Sequence, residues 1–324
     1  MYPWNHRQWA QLTTAMAKGR LSHALLLQGP EGLGKWSFAN ELAEFLLCTN
    51  HGGRDAACGA CRACTLTTAR THPDLITLTP EEEKKDISVE QVRSLGVALS
   101  LTSHAGGWKV AVIVPAETMN KHAANALLKT LEEPGANTLL ILITTTQSRL
   151  PATLRSRCQR IRFSMPPAKD AVAWLESREQ RPDWPRLLQF SGGAPLTAVD
   201  LAENGFAELD QVWRQDLNNI LSGGAEPVEI AERWGKTEPG LCVAWLRHQT
   251  MDLIRSRWSE NRFSESDTGH TLSLQIEGKE PSLDSLFGYL DQLDLGMRLL
   301  DSNANRQLLM ESLLIPWAYG LRAA

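Results

Sequence analysis

The sequence predicts an α/β domain built on a parallel sheet, followed by helical domains. Three observations carry that reading. A glycine-rich stretch, Gly29-Pro30-Glu31-Gly32-Leu33-Gly34-Lys35, lies between an apolar run and a segment of helical spacing, the strand–loop–helix setting of a phosphate-binding loop. Four short runs within residues 1–165 are uniformly apolar, as strands buried on both faces of a parallel sheet are. Towards the end, Leu283 to Leu300 and Arg306 to Leu321 repeat their apolar residues at helical spacing.

Taken in order, Leu25-Leu26-Leu27-Gln28 is the first strand and runs into the glycine loop. Trp36 to Leu47 follows as a helix with Phe38, Leu42, Phe45 and Leu46 on one face. Leu75 to Leu78 is the second strand, Val110 to Val114 the third and Leu139 to Ile143 the fourth. Between the last two lies a helix, Ala123 to Glu133, stopped by Pro134. Its Leu127, Leu128 and Leu131 read as core. Lys129, Glu132 and Glu133 face outward, towards water or a neighbouring subunit.

Pro166-Pro167 marks a boundary, and short helical segments with core candidates Trp174, Leu175, Leu187 and Leu188 extend to about Gly205. Gly223-Gly224 and the polar stretch from Ser259 to Asp267 read as loops in an otherwise helical remainder. The expected domains are therefore 1–165, with an inserted cysteine module at 48–64, then 166–205 and 206–324. There is no internal repeat and no low-complexity segment.

Composition narrows the function classes. At 324 residues the chain is long enough for two or three domains. Its formal net charge of -4 argues against a self-sufficient basic DNA binder. No run approaches the ~18 apolar residues of a membrane span. The opening Met1-Tyr2-Pro3-Trp4-Asn5-His6 lacks the charged and apolar regions of a secretory signal. Four of the six cysteines are clustered, which suits a reduced compartment and a metal better than disulfides. The expected location is the cytoplasm.

The glycine loop is incomplete. Gly29, Gly32, Gly34 and Lys35 fit G-x-x-x-x-G-K, but Trp36 stands where a Ser or Thr hydroxyl would bind Mg²⁺. The strand that should end in Mg²⁺-organising carboxylates offers Val114 and Pro115 instead. Glu117, further on, reads as a surface or capping residue. The loop amides could still hold a phosphate, but bound ATP and hydrolysis are not expected.

Cys48, Cys58, Cys61 and Cys64 have the spacing C-x9-C-x2-C-x2-C, with Gly59 inside the first short step to relieve crowding. Four thiolates suit tetrahedral Zn²⁺ with no open position, which makes the site structural. An iron–sulfur cluster is the alternative, and unrelated free thiols the plain reading. Cys158 and Cys242 lie alone and read as packed thiols.

With these features the chain resembles the AAA+ subunits of bacterial sliding-clamp loaders. The resemblance rests on the loop, the four-cysteine module after its helix, Asn125-Ala126-Leu127-Leu128-Lys129-Thr130-Leu131-Glu132-Glu133-Pro134, and Ser156-Arg157-Cys158 downstream of Thr144-Thr145. His72-Pro73-Asp74 and Asn303-Ala304-Asn305-Arg306-Gln307-Leu308-Leu309 add to it, so it spans essentially the whole chain. The resemblance implies an AAA+ P-loop domain, a small helical lid and an all-α collar that ties subunits together. Gly193-Ala194-Pro195-Leu196-Thr197 places Leu196 where the family's motor subunits carry a sensor arginine.

The lost hydroxyl, carboxylates and arginine together point to a non-hydrolysing stator within the clamp loader of the DNA polymerase III holoenzyme. The implied partners are the tau/gamma motor subunits and a delta subunit in a hetero-pentameric ring, and through the complex the beta sliding clamp and primer–template DNA. The family gives the Ser-Arg-Cys arginine, here Arg157, a role as an arginine finger on the neighbouring subunit's ATP. By themselves the five arginines 149, 155, 157, 160 and 162 could equally form a solvated basic face. Two rivals remain open: an active motor ATPase with an atypical loop, and a stand-alone zinc module that binds DNA.

Overall fold

The computed structural model describes residues 1–50, 56–104, 107–260, 281–300, 304–319 and 321. The chain divides into two compact units, Met1–Asp200 and Leu201–Ala324.

The first unit opens with α1 (His6–Ala17) and β1 (Ala24–Gln28). Then come α2 (Lys35–Leu47), α3 (Arg62–Thr68), β2 (Leu75–Leu78), α4 (Val89–Ser100), β3 (Lys109–Ile113), α5 (Lys121–Glu132), β4 (Thr138–Thr144), α6 (Ala152–Arg155) and β5 (Gln159–Arg162). Helices α7 (Ala168–Arg178), α8 (Trp184–Phe190) and α9 (Pro195–Glu203) follow, the last running through the division between units. The five strands form one parallel sheet in the order β2-β3-β4-β1-β5.

Alternation along the strands sorts the core into two layers. Leu25 and Leu27 of β1, Val110 and Val112 of β3 and Ile141 of β4 pack with Trp9, Leu12, Phe38 and Leu42 of α1 and α2. On the other face Leu26, Ala111, Ile113 and Leu142 meet Val92 and Leu95 of α4 and Leu127 and Leu131 of α5. The expected face of α2 is buried in full, and Leu127 and Leu131 are core as read, with Leu128 partly buried against them.

Two strand expectations change. β2 was read as buried on both faces; as an edge strand it buries only Leu78, with Thr77 exposed. β5 went unread because only Ile161 of Gln-Arg-Ile-Arg is buried, and an edge strand tolerates polar residues on its open side. Trp174, read as core, is half-buried and packs edge to face with Tyr2 and Trp4 of the N-terminus.

The second unit comprises α10 (Phe206–Leu221), α11 (Pro227–Lys236), α12 (Pro239–Glu260), α13 (Leu283–Leu300) and α14 (Arg306–Ala318). Trp213, Trp234 and Trp245 are fully buried and pack edge to face or tilted, with centroids 5.6–5.9 Å apart. Two buried carboxylates accept their indole N–H groups: Asp210 from Trp245 at 2.8 Å and Asp216 from Trp234 at 2.9 Å. Of the loop expected from Ser259 to Asp267, the first two residues end α12. Residues 261–267 lie outside the described residues, as does Asn303. No described helix is long and apolar enough to cross a membrane.

Candidate functional site

All five strands point the same way, so their C-terminal ends share one edge, where parallel α/β sheets bind ligands. The glycine loop leaves that edge directly after β1, and Gly29 N donates to Thr144 O at the end of β4 (3.3 Å). Gly29, Gly32, Gly34 and Lys35 are thus together, as a phosphate-binding loop requires. The loop's lysine is nevertheless bonded to the loop itself. Lys35, only 6% exposed, donates its ammonium to the carbonyls of Gly29 (2.8 Å) and Pro30. Burial lowers its pKa, against the opposing pull of Glu31 and Glu117.

Other elements close over the loop. Gly32 has φ +70°, and a Cβ there would fall 2.1 Å from Thr197 Oγ1 and 2.9 Å from Thr197 N. The neighbouring Leu196 N donates to Gly32 O at 3.1 Å. The start of α9, which carries Leu196 and Thr197, therefore sits directly on the loop. From the N-terminus, Tyr2 lies against Gly34, where a Cβ would meet its ring at 2.4 Å. Asn5 Nδ2 and Trp4 Nε1 both donate to Leu33 O (2.9 and 3.1 Å). Tyr2 and Trp4 stack, and Trp174 meets both edge to face, with centroids 5.0–5.6 Å apart across the three rings.

Glu117 is a residue that the sequence reading set aside. It sits on a one-turn 3-10 helix, Ala116–Thr118, after Val114 and Pro115. Its Oε1 accepts from Thr145 Oγ1 (2.6 Å), Thr145 N (2.9 Å) and Thr146 N (3.3 Å). Burial pushes its pKa up, but these hydrogen bonds outweigh it and hold the carboxyl below its ordinary range. Glu117 is neither a plain surface residue nor a helix cap; it pins the exit of β4 to the exit of β3. The Thr144-Thr145 pair at a strand end was the available signal.

The four cysteines come together. Their Sγ atoms all lie within 4.8 Å of one another, with Cys48–Cys61 at 4.0 Å, Cys58–Cys64 at 3.9 Å and Cys61–Cys64 at 3.5 Å. A tetrahedron of sulfurs around Zn²⁺ has edges of about 3.8 Å, so the cluster fits a structural metal ion. Backbone amides donate into the cluster. Those of Asn50 and Cys58 donate to Cys48 Sγ (3.4 Å each), and that of Cys61 to Cys58 Sγ (3.3 Å). Cys61 is held down to about 5, chiefly by the Cys64 amide, whereas burial pushes Cys64 up to about 12. Gly59 departs from expectation: a Cβ there would meet nothing within 4 Å, and its φ of +70° is what requires glycine. Cys158 and Cys242 are buried as read, and burial raises both thiols.

Arg157 lies elsewhere, on the turn between α6 and β5. It is 37% exposed and ion-pairs through Nη2 with Glu132 Oε1 at 2.6 Å. Its Nη1 donates to Thr153 O at 3.1 Å. Both the pair and the preceding Leu154 ride on the α5–α6 side of the core, where Leu127, Leu131, Leu154 and Cys158 share one apolar cluster.

Comparison with known proteins agrees along the chain. Residues 4–167 match the family described as DNA polymerase III, delta subunit. Over 326 residues the chain is 36% identical to the DNA polymerase III subunit delta-prime of Pseudomonas aeruginosa PAO1, covering 98% of this chain and 97% of that one. It is 33% identical over 319 residues to the subunit delta-prime of Escherichia coli K12, at 97% and 94% coverage. Among solved structures it resembles a DNA polymerase III gamma subunit-related protein from Thermotoga maritima, with TM-score 0.52 and 19% identity over 97% of this chain and 100% of that one. That last likeness concerns the fold.

Proposed function

The chain belongs to the family of the DNA polymerase III subunit delta-prime, a clamp-loader component, and from that premise we propose that it is the non-hydrolysing stator of the loader ring. On this reading it stands beside tau/gamma motor subunits and a delta subunit in a hetero-pentamer in the cytoplasm, and helps place the beta sliding clamp on primer–template DNA. Residues 1–165 are its AAA+ domain, 166–205 its lid and 206–324 its collar. Arg157 is the arginine finger supplied to the neighbouring subunit's ATP.

One observation carries the reading. The chain's own loop is closed by Lys35, Tyr2 and Thr197, while Arg157 stands part-exposed on a packed platform. A fixed guanidinium aimed at a transferring phosphoryl group stabilises its developing charge and is worth ~10³–10⁵ in rate. The closed loop weighs against the active-motor alternative, because its cation is already spent on its own carbonyls.

The deciding experiment reconstitutes the complex with motor subunits, clamp and primed DNA, and compares the wild type with Arg157→Ala. DNA-stimulated ATP hydrolysis is expected to fall sharply with assembly intact. Unchanged turnover would remove the finger from the account.

The same reading has Cys48, Cys58, Cys61 and Cys64 hold a structural Zn²⁺. The ion would tie the end of α2 to α3 and take no part in catalysis. Elemental analysis should return one zinc per chain; iron, or no metal, overturns this.

A further inference from the structure

We propose that Glu132 is a positioning residue for Arg157: its carboxylate fixes the plane of the guanidinium before a neighbouring nucleotide arrives. The proposal rests on the finger reading of Arg157 and adds to it the group that aims the finger.

The geometry supplies two anchors from two elements. Glu132, the last residue of α5, takes Nη2 at 2.6 Å, and the Thr153 carbonyl of α6 takes Nη1 at 3.1 Å. A planar guanidinium held at both terminal nitrogens has lost its freedom to turn about its long axis. Of its five N–H donors two are used in this way, and the other three donate to no described residue. They remain for phosphoryl oxygens.

The platform beneath is rigid. Leu131, beside Glu132, is 3% exposed, and Leu154 and Cys158, on either side of Arg157, are 1% and 8% exposed. All three belong to the apolar cluster that also holds Leu127. The carboxylate and the arginine are therefore carried on side-by-side elements that share one core, the arrangement that keeps a functional constellation in register.

Magnitude decides between aiming and locking. The two side chains are 37% and 52% exposed. An exposed pair of this kind shifts an equilibrium by no more than about five-fold. That is too little to withhold an arginine from a polyphosphate. It is enough to favour one of the many rotamers of a long side chain and so to reduce what binding must order.

The test uses the complex reconstituted with motor subunits, delta, clamp and primed DNA. Glu132→Gln keeps the shape of the side chain and removes its charge. It is expected to lower the kcat of DNA-stimulated ATP hydrolysis about two- to five-fold, with KM for ATP and subunit incorporation unchanged. In the Arg157→Ala background the same substitution is expected to cost nothing further, because the partner it aims is gone. A general structural role would give the same loss in both backgrounds, and that result overturns the proposal. So does unchanged or increased turnover in Glu132→Gln alone, the increase marking Glu132 as a brake. If Arg157→Ala itself has no effect, the finger reading falls and takes this proposal with it. A loss in Arg157→Ala without one in Glu132→Gln removes the proposal alone.

Discussion

The glycine loop and the Arg157 turn belong to one α/β unit, and both hold a cation, yet they are built in opposite ways. Lys35 is 6% exposed and its ammonium is bonded to carbonyls of its own loop. Arg157 is 37% exposed and is held by a carboxylate and a carbonyl that leave three donors unused. One cation is buried in contacts with its own loop, while the other is part-exposed beside a packed core. The difference teaches how a nucleotide-binding scaffold can outlive its own site. On the proposed stator reading, the parallel sheet, the loop and the helices would be retained because they position Arg157.

The largest test of this contrast removes each cation in turn. In the reconstituted complex, Arg157→Ala is expected to lower turnover at the site it serves by up to ~10³-fold or more. Lys35→Ala is expected to leave turnover within about two-fold of the wild type, since on the proposed reading no phosphate depends on Lys35. Steady-state ATPase with primed DNA and clamp measures both. Similar losses from the two substitutions would break the contrast and return the loop to service.

Much of the fold was legible in the sequence, and the reasons differ by element. β1, β3 and β4 are central strands, so burial on both faces writes an uninterrupted apolar run. The edge strand β5 buries only Ile161 and carries arginines on either side, so its pattern reads as a charged surface. Helix α4 announced itself locally through Ser88 and Gln91, whose reciprocal capping bonds (3.2 and 2.9 Å) fit a capping box, a signal the periodicity reading passed over.

At the site, the cysteine spacing was sufficient because short C-x2-C steps leave their sulfurs little choice. The closure over the loop was not legible, because Tyr2 and Thr197 reach Gly34 and Gly32 from positions distant in sequence; only the Lys35 bonds to Gly29 and Pro30 are local. Glu117 was missed for the same reason: its partners, Thr145 and Thr146, are 28 and 29 residues away.

A smaller effect sharpens the structural half of the comparison. If the loop survives as a packing joint, its glycines matter to stability although the site is closed. Gly32→Ala would place a Cβ 2.1 Å from Thr197 Oγ1, 2.9 Å from Thr197 N and 3.0 Å from the Ala194 Cβ, at a φ of +70°. The Thr197 hydroxyl could turn aside, but the Thr197 backbone could not. The strain and the displaced start of α9 should cost about 1–3 kcal/mol, read as a lower denaturant midpoint at unchanged slope. A neutral substitution would mean that the loop and α9 are held together less closely than their contacts indicate.

The smallest expected effect is the most pointed. Trp36→Ser restores the hydroxyl that a Mg²⁺-binding loop carries, and on the sequence alone it is the obvious repair. It is expected to restore nothing. A hydroxyl cannot hold Mg²⁺ without carboxylates at the end of β3, where Val114 and Pro115 stand. Nor does it free the loop, since Lys35 stays on the Gly29 and Pro30 carbonyls and Tyr2 stays against Gly34. Trp36 also packs in part against the α1–α2 core layer, so its loss should cost roughly 1–2 kcal/mol of stability. Calorimetric titration of the variant with ATP and Mg²⁺ is expected to give no saturable heat up to about 1 mM. Saturable, Mg²⁺-dependent binding would place the loop a single substitution from competence. The closure by Lys35, Tyr2 and Thr197 would then be a resting state that nucleotide can displace, not a permanent change of role.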